Sequence, residues 1–173
     1  PIVLPLLLIC AVAVRCTSRG PIFFRQQRTG QGGHNFEMLK FRSMVVDAEL
    51  RKAELKKDVG ISGPDFKMAQ DPRITRIGSL MRKTSLDELP QIWNVLKGDM
   101  SLVGPRPLLV EYLPLYSAEQ RRRHEVLPGL TGWAQVNSGY ADSLDDTIEK
   151  LTYDLYYVRH MSPWLDAAVL ARS

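Results

Sequence analysis

The chain has 173 residues, 45% of them hydrophobic and 24% charged, with a formal net charge of +4 at pH 7. That length suits one domain able to bury a full core, and the composition excludes a disordered tail or a collagen-like chain. The two cysteines cannot build a disulfide framework, and the basic balance points to a polyanionic partner: nucleic acid, phosphorylated substrate or anionic membrane.

The first fourteen residues, PIVLPLLLICAVAV, carry no charge. As a helix they would span about 21 Å, short of the roughly 30 Å hydrocarbon core of a bilayer. No basic n-region or small-residue cleavage site marks a signal peptide, and Ile9 before Cys10 fits a lipoprotein signal poorly. The start at Pro1 reads as that of a fragment. Three readings stand: the end of a spanning helix, a segment that enters one leaflet and returns, or a buried core helix. Pro5 favours a bend within the run. Arg15 and Arg19 follow where cations meet anionic headgroups, so membrane contact is expected. Cys10 and Cys16 read as packed thiols.

From Gly20 the character changes. Residues 21–24 (PIFF) read as a strand, 29–33 (TGQGG) as a turn and 36–41 as a return strand, which predicts a hairpin. No Gly-Lys-Ser/Thr follows the glycines and no GxGxxG is present, so a plain turn is expected there rather than a phosphate cradle. Lys40 and Arg42 flank Phe41 at period two, which predicts both cations on one strand face. Residues 47–57 mix both charge signs with Ala and Leu and predict a solvated surface helix. Residues 59–71, with Gly60, Gly63 and Pro64, read as a loop.

The informative stretch is DPRITRIGSLMRKTSLDELPQIWNVLKGDMSLVGPRP, residues 71–107. Ile74, Ile77, Leu80 and Met81 lie at helical spacing, and Arg73, Arg76, Arg82 and Lys83 supply a basic surface. Asp87 and Glu88 follow directly. Ser85-Leu86-Asp87-Glu88 matches a capping box, but Pro90 argues against that register. With Asp87 as the cap, Pro90 falls where the amide needs no intrahelical partner. The functional reading uses the same position. A carboxylate at a helix start beside Arg82 and Lys83 stays ionised and lies where phosphates bind. Ionised carboxylates can attack phosphorus when cations or a metal screen the repulsion. Lys40, Arg42, Arg82 and Arg106 are candidates for that screening, and one Mg²⁺ held by few carboxylates plus substrate oxygens is the expected metal.

Four segments, KFRSM (40–44), the block at 71–107, PGLTGWAQVN (128–137) and YDLYYVRHMS (153–162), resemble in order the bacterial sugar transferase family, the monotopic polyprenyl-phosphate phosphoglycosyl transferases. PRPLLVEYLPLY (105–116) looks closest to the small single-domain members, whereas Gly132-Trp133-Ala134-Gln135 is equally at home in the large multidomain ones. The resemblance implies transfer of a sugar 1-phosphate from a UDP-sugar to undecaprenyl phosphate, with Mg²⁺ and release of UMP. It places the family's nucleophile on Asp87 and its companion on Glu88, which holds the metal or orients Asp87. Ping-pong order through a covalent phosphosugar on Asp87 is the implied mechanism. Further site positions fall on Lys40, Arg82 and Asp154, and the Pro-Arg-Pro motif on Pro105, Arg106 and Pro107. Arg82 is assigned to the transferred phosphate and Arg106 to the nucleotide end. Asp154 is expected to contact metal or a basic partner, or else to be a helix-surface acid.

The implied fold is α+β and helix-rich, with a short hairpin, surrounding amphipathic helices and a truncated re-entrant helix that does not span the bilayer. Residues 1–18 would be the membrane-inserted segment and 19–173 the catalytic domain, on the cytoplasmic face of the bacterial inner membrane. Lipid headgroups are then expected partners, and nucleic acid is not. The alternatives are the catalytic end of a larger polytopic protein and a basic membrane- or RNA-binding module. Arg121-Arg122-Arg123-His124 reads as the end of a helix capped by Ser117 and Gln120. His34, His124 and His160 lack metal-like spacing. Tyr153, Tyr156 and Tyr157 read as core or interfacial anchors. Trp164, Leu165, Ala168 and Val169 could form an interfacial face or pack a core.

Overall fold

The computed structural model describes residues 3–59, 71–138 and 144–173. They fall into two compact units, Pro1–Gln26 with Leu39–Ile92, and Gln27–Met38 with Trp93–Ser173. The architecture is mixed helix and sheet, rich in helix, as expected.

In the first unit the uncharged leader forms α1 (Val3–Thr17). The described helix includes Pro5. One face of α1 is core: Cys10 and Val14 pack with Phe41 and Met81, bordered by Ile77, Leu86 and Leu89. The other face, Leu4, Leu8, Ile9 and Val12, is apolar and exposed. Cys10 is packed as expected, but Cys16 is exposed. Among the described residues no helix is long and apolar enough to cross a membrane.

The hairpin is present as β1 (Phe23–Thr29), a 3₁₀ turn at Gln31–Gly33 and β2 (Asn35–Phe41). β1 runs past the predicted PIFF segment because its polar residues alternate between exposed and half-buried positions, the pattern of a strand with one wet face. Gly32 and Gly33 have φ of 65° and 81°, left-handed values that glycine adopts without steric cost. Phe23 stacks on Phe41 with ring centroids 5.4 Å apart.

The charged helix is α2 (Ala48–Val59), as predicted. The loop predicted over 59–71 lies, at 60–70, outside the described residues. Next comes α3 (Arg76–Lys83), whose start is capped by Thr75, its Oγ1 accepting from the Gly78 N–H at 3.0 Å. Ile77 and Met81 point inward while Leu80 is exposed. Thr75 also donates its N–H to the Ser43 carbonyl at 3.0 Å, which fastens α3 to the end of the hairpin. That approach requires Gly78, because a Cβ there would collide with the Ser43 carbonyl oxygen. Gly78→Ala should therefore cost about 3 kcal/mol, as overpacking does, read as a lowered denaturant midpoint. After α3 come a 3₁₀ turn, Leu86–Glu88, and α4 (Gln91–Lys97).

In the second unit β3 (Ser101–Val103) pairs in parallel with β4 (Gly129–Thr131). Between them lies α5 (Ala118–Arg121), closed by the Ser117–Gln120 capping box. Three helices follow: α6 (Trp133–Asn137), α7 (Leu144–His160) and α8 (Pro163–Arg172). Val103, Tyr157 and Val169 form the core, with Trp133 and Leu165 against it. The Tyr157 hydroxyl donates toward Asp166 Oδ1 at 2.7 Å, tying α7 to α8. Ser162 caps α8 through Leu165 N–H. The predicted α8 face divides: Leu165 and Val169 pack inward, whereas Trp164 is 86% exposed.

Candidate active site

The first unit gathers Lys40, Arg42, Arg82, Asp87 and Glu88; the second holds Pro105, Arg106, Pro107 and Asp154. The carboxylates are delivered by a sharp reversal after α3. Ser85 takes φ 55° and ψ 15°, a left-handed conformation that costs a non-glycine residue about 1 kcal/mol. A helix cap needs extended backbone, so Ser85 cannot be the N-cap of a capping box, and its side chain makes no cap bond. Asp87 is not the cap either. It lies inside the 3₁₀ turn, and α4 begins only at Gln91, after Pro90.

Released from capping, the carboxylates face basic groups. Lys40 Nζ donates to Glu88 Oε1 at 2.8 Å, both side chains being more than four-fifths buried. Asp87 is buried, and among the described residues no side chain donates to its carboxylate. Burial, the largest influence, raises its pKa above the ordinary carboxylate range, and Glu88 adds to this. Lys40 and Arg82 pull in the opposite direction without cancelling it. The net direction is therefore upward, because desolvation outweighs the neighbouring cations.

Arg82 is aimed by a residue that sequence reasoning passed over. Its Nε donates to the hydroxyl of buried Ser43 at 2.8 Å. Among the described residues its terminal nitrogens make no hydrogen bond or ion pair, so they remain available to an anion. Ser43 lies within KFRSM, yet nothing local marks it, because its partner is 39 residues away.

Arg42 behaves differently from Lys40. It turns inward: Nη2 donates to the Ser18 carbonyl at 2.8 Å and hydroxyl at 2.7 Å, and Nη1 to the Arg19 carbonyl at 3.2 Å. Burial, then the charge of Arg15, lowers its pKa. These bonds make Arg42 an anchor for the chain leaving α1. Gly20, with φ 125°, passes so close that a Cβ would meet the Arg42 guanidinium.

In the second unit Pro105 and Pro107 are buried and Arg106 is half-buried. Asp154 is neither a surface acid nor an open metal ligand. Its Oδ2 accepts from Arg123 Nη2 at 2.7 Å, with both groups buried, so the basic-partner alternative describes it. Burial raises the Asp154 pKa, opposed by Arg123. The capping box at Ser117–Gln120 is present, but the run after it does not simply decorate a helix end: Arg123 and His124 are interior. Burial, with the Arg123 charge, lowers His124 to about 4 and keeps it neutral near pH 7.

Among the described residues no group of three or more His, Cys, Asp or Glu could hold a metal alone. The neighbouring carboxylates of Asp87 and Glu88 are oxygen donors of the kind Mg²⁺ takes one or two at a time, with water and substrate phosphates as its other ligands.

The chain matches the family model described as bacterial sugar transferase over residues 1–173. It is 42% identical, over its whole length, to the UDP-N-acetylgalactosamine-undecaprenyl-phosphate N-acetylgalactosaminephosphotransferase of Aeromonas hydrophila, and spans 39% of that protein. It is 45% identical over 96% of its length to the UDP-glucose:undecaprenyl-phosphate glucose-1-phosphate transferase of Xanthomonas campestris pv. campestris, spanning 33% of it. A further relative, the uncharacterized sugar transferase EpsL of Bacillus subtilis, is 44% identical over 95% of the chain, which covers 74% of that protein. The chain thus spans between a third and two fifths of the length of the first two relatives. The match extends from end to end and includes the turn that carries Asp87 and Glu88: the chain belongs to the bacterial sugar transferase family.

Proposed function

We propose that this chain is the catalytic part of a phosphoglycosyl transferase that moves a sugar 1-phosphate from a UDP-sugar to undecaprenyl phosphate and releases UMP. The observation that carries the reading is the Asp87 carboxylate: desolvated, without a side-chain donor among the described residues, and flanked by Lys40 and Arg82. Desolvation makes a carboxylate a better nucleophile and the two cations offset its repulsion from a phosphate. The relatives named for undecaprenyl-phosphate transfer support the substrate classes.

In the proposed first step an Asp87 oxygen attacks the phosphorus that bears the sugar. The diphosphate bridge breaks, and the bridging oxygen leaves with UMP. In the second step a phosphate oxygen of undecaprenyl phosphate attacks the same phosphorus. The Asp87–phosphorus bond then breaks, which restores the carboxylate and leaves a polyprenyl diphosphate sugar. Arg82, held at Nε by Ser43, receives the transferred phosphate with its terminal nitrogens. Lys40 holds Glu88 in place and supplies positive charge near Asp87. Bound Mg²⁺ would offset the charge of the donor's diphosphate, held by Asp87 and Glu88. Arg106, fixed between Pro105 and Pro107, contacts the nucleotide end, and Arg42 keeps the exit from α1 in register.

The exposed apolar face of α1, Leu4, Leu8, Ile9 and Val12, would lie among acyl chains, with Arg15 and Arg19 at the headgroups. On this reading the segment is part of a re-entrant, non-spanning helix at the cytoplasmic face of the inner membrane.

The test uses the full-length protein with Mg²⁺ and a panel of UDP-glucose, UDP-galactose and UDP-N-acetylgalactosamine. Donor alone should release about one equivalent of UMP per site, and undecaprenyl phosphate should convert that burst to turnover. UMP release from none of the donors would overturn the reading. Because burial raises the Asp87 pKa, the acid limb of kcat/KM should lie above the ordinary carboxylate range. Lys40→Met removes a charge that lowers this pKa, so the limb should move to higher pH. A limb that stays in place would detach Asp87 from the rate.

A further inference from the structure

The motif Pro105-Arg106-Pro107 contains two residues with no N–H, so this loop can be gripped mainly by its carbonyls. Four consecutive carbonyls are gripped. Pro105 O accepts from Gly129 N–H at 3.0 Å and Leu108 O from Thr29 N–H at 3.1 Å. Pro107 O accepts from Arg28 Nη1 at 3.3 Å, and Arg106 O from Arg123 Nη2 at 2.8 Å.

The grip on Arg106 differs in kind from the others. Arg123 is 3% exposed, and its Nη2 divides its two hydrogens between Arg106 O and Asp154 Oδ2. Its Nη1 donates to the Tyr116 hydroxyl at 3.2 Å. A guanidinium is a rigid planar fork, so fixing one edge fixes the direction of every other donor. Asp154, from the middle of α7, is the charged partner that sets this orientation. The cavity beside the loop, lined by Thr29, Arg106, Arg123 and His124 among others, measures about 10 Å³. That is far too small for a sugar phosphate or a hydrated metal.

We propose that Asp154 is a positioning residue: through Arg123 it fixes the backbone of Arg106, and so the aim of the Arg106 side chain, without touching metal or substrate. The kinetic part rests on the reading of Arg106 as a donor contact made above; the structural part does not.

The experiment compares full-length wild type, Asp154→Asn, the neutral pair Arg123→Gln with Asp154→Asn, and Arg106→Ala with and without Asp154→Asn. Hydrogen exchange by mass spectrometry should show faster exchange at residues 104–109, in excess of the change elsewhere in the protein, in Asp154→Asn and in the neutral pair. Donor KM should rise about tenfold with kcat within threefold, and half-saturation by Mg²⁺ should not move. In the Arg106→Ala background Asp154→Asn should change KM less than twofold, as expected for residues acting as one unit. Unchanged exchange at 104–109, a tenfold shift in Mg²⁺ dependence, or KM effects that multiply would each overturn the proposal. A lowered active fraction with unchanged KM would do the same, because it marks a role in folding alone. If wild type releases no UMP, the exchange result still decides whether Asp154 holds the loop, and the failure belongs to the proposed activity.

Discussion

Asp87→Asn is expected to reduce UMP release by about 10⁴-fold or more, the scale seen when a covalent nucleophile is removed. The substitution keeps the shape of a buried side chain and removes only the charge, so the fold should survive. Its stability should even match or exceed that of wild type near neutral pH. The sign follows from desolvation. A carboxyl whose folded-state pKa lies above its unfolded value stabilises the fold while protonated, and that contribution is lost as pH rises through the folded pKa. Wild type should therefore lose stability relative to Asp87→Asn as the pH rises from the acid range toward neutrality. Lost activity together with undiminished stability would mark Asp87 as a site where structure is strained for chemistry. A variant that keeps its turnover would remove Asp87 from the reaction.

The second large effect concerns stability alone. Arg123→Ala leaves the Asp154 carboxylate buried with its partner gone, and breaking such a pair from one side costs about 3–5 kcal/mol. The denaturant midpoint should fall accordingly at pH 7. The deficit should shrink toward acid pH, where the orphaned carboxyl takes up a proton. Removing both charges, as in Arg123→Met with Asp154→Leu, should recover much of the loss. A midpoint within error of wild type for Arg123→Ala would show that the pair is open to water.

How far these features could be read in advance depended on how local their causes are. The hairpin, the charged helix α2 and the capped start of α5 follow from period and punctuation within a few residues, and they were legible. Asp87 and Glu88 stood out for another reason, a long block of sequence that resembled a known family. The capping alternatives were legible too, yet the fold took neither. Ser-x-x-Glu describes a pattern, whereas the outcome was set by the left-handed backbone at Ser85, which reverses the chain after α3. Ser43, Arg42 and Arg123 were missed or misassigned for a different reason. Their partners lie 39, 24 and 31 residues away, and no periodicity encodes a contact of that range. For Arg123 the local pattern gave the helix end, which is present, but not the burial of one arginine in the run. The raised pKa of Asp87 was hidden in the same way. Neighbouring cations are visible in a sequence, but the burial that outweighs them is not.

The most direct test of the account is the mass of the full-length protein after brief exposure to UDP-sugar and Mg²⁺ without the lipid acceptor, followed by peptide mapping. The account predicts an added mass equal to the donor's sugar phosphate, carried on the peptide that contains Asp87 and discharged by undecaprenyl phosphate. An adduct on any other residue would contradict it, as would a protein that turns over while remaining unmodified.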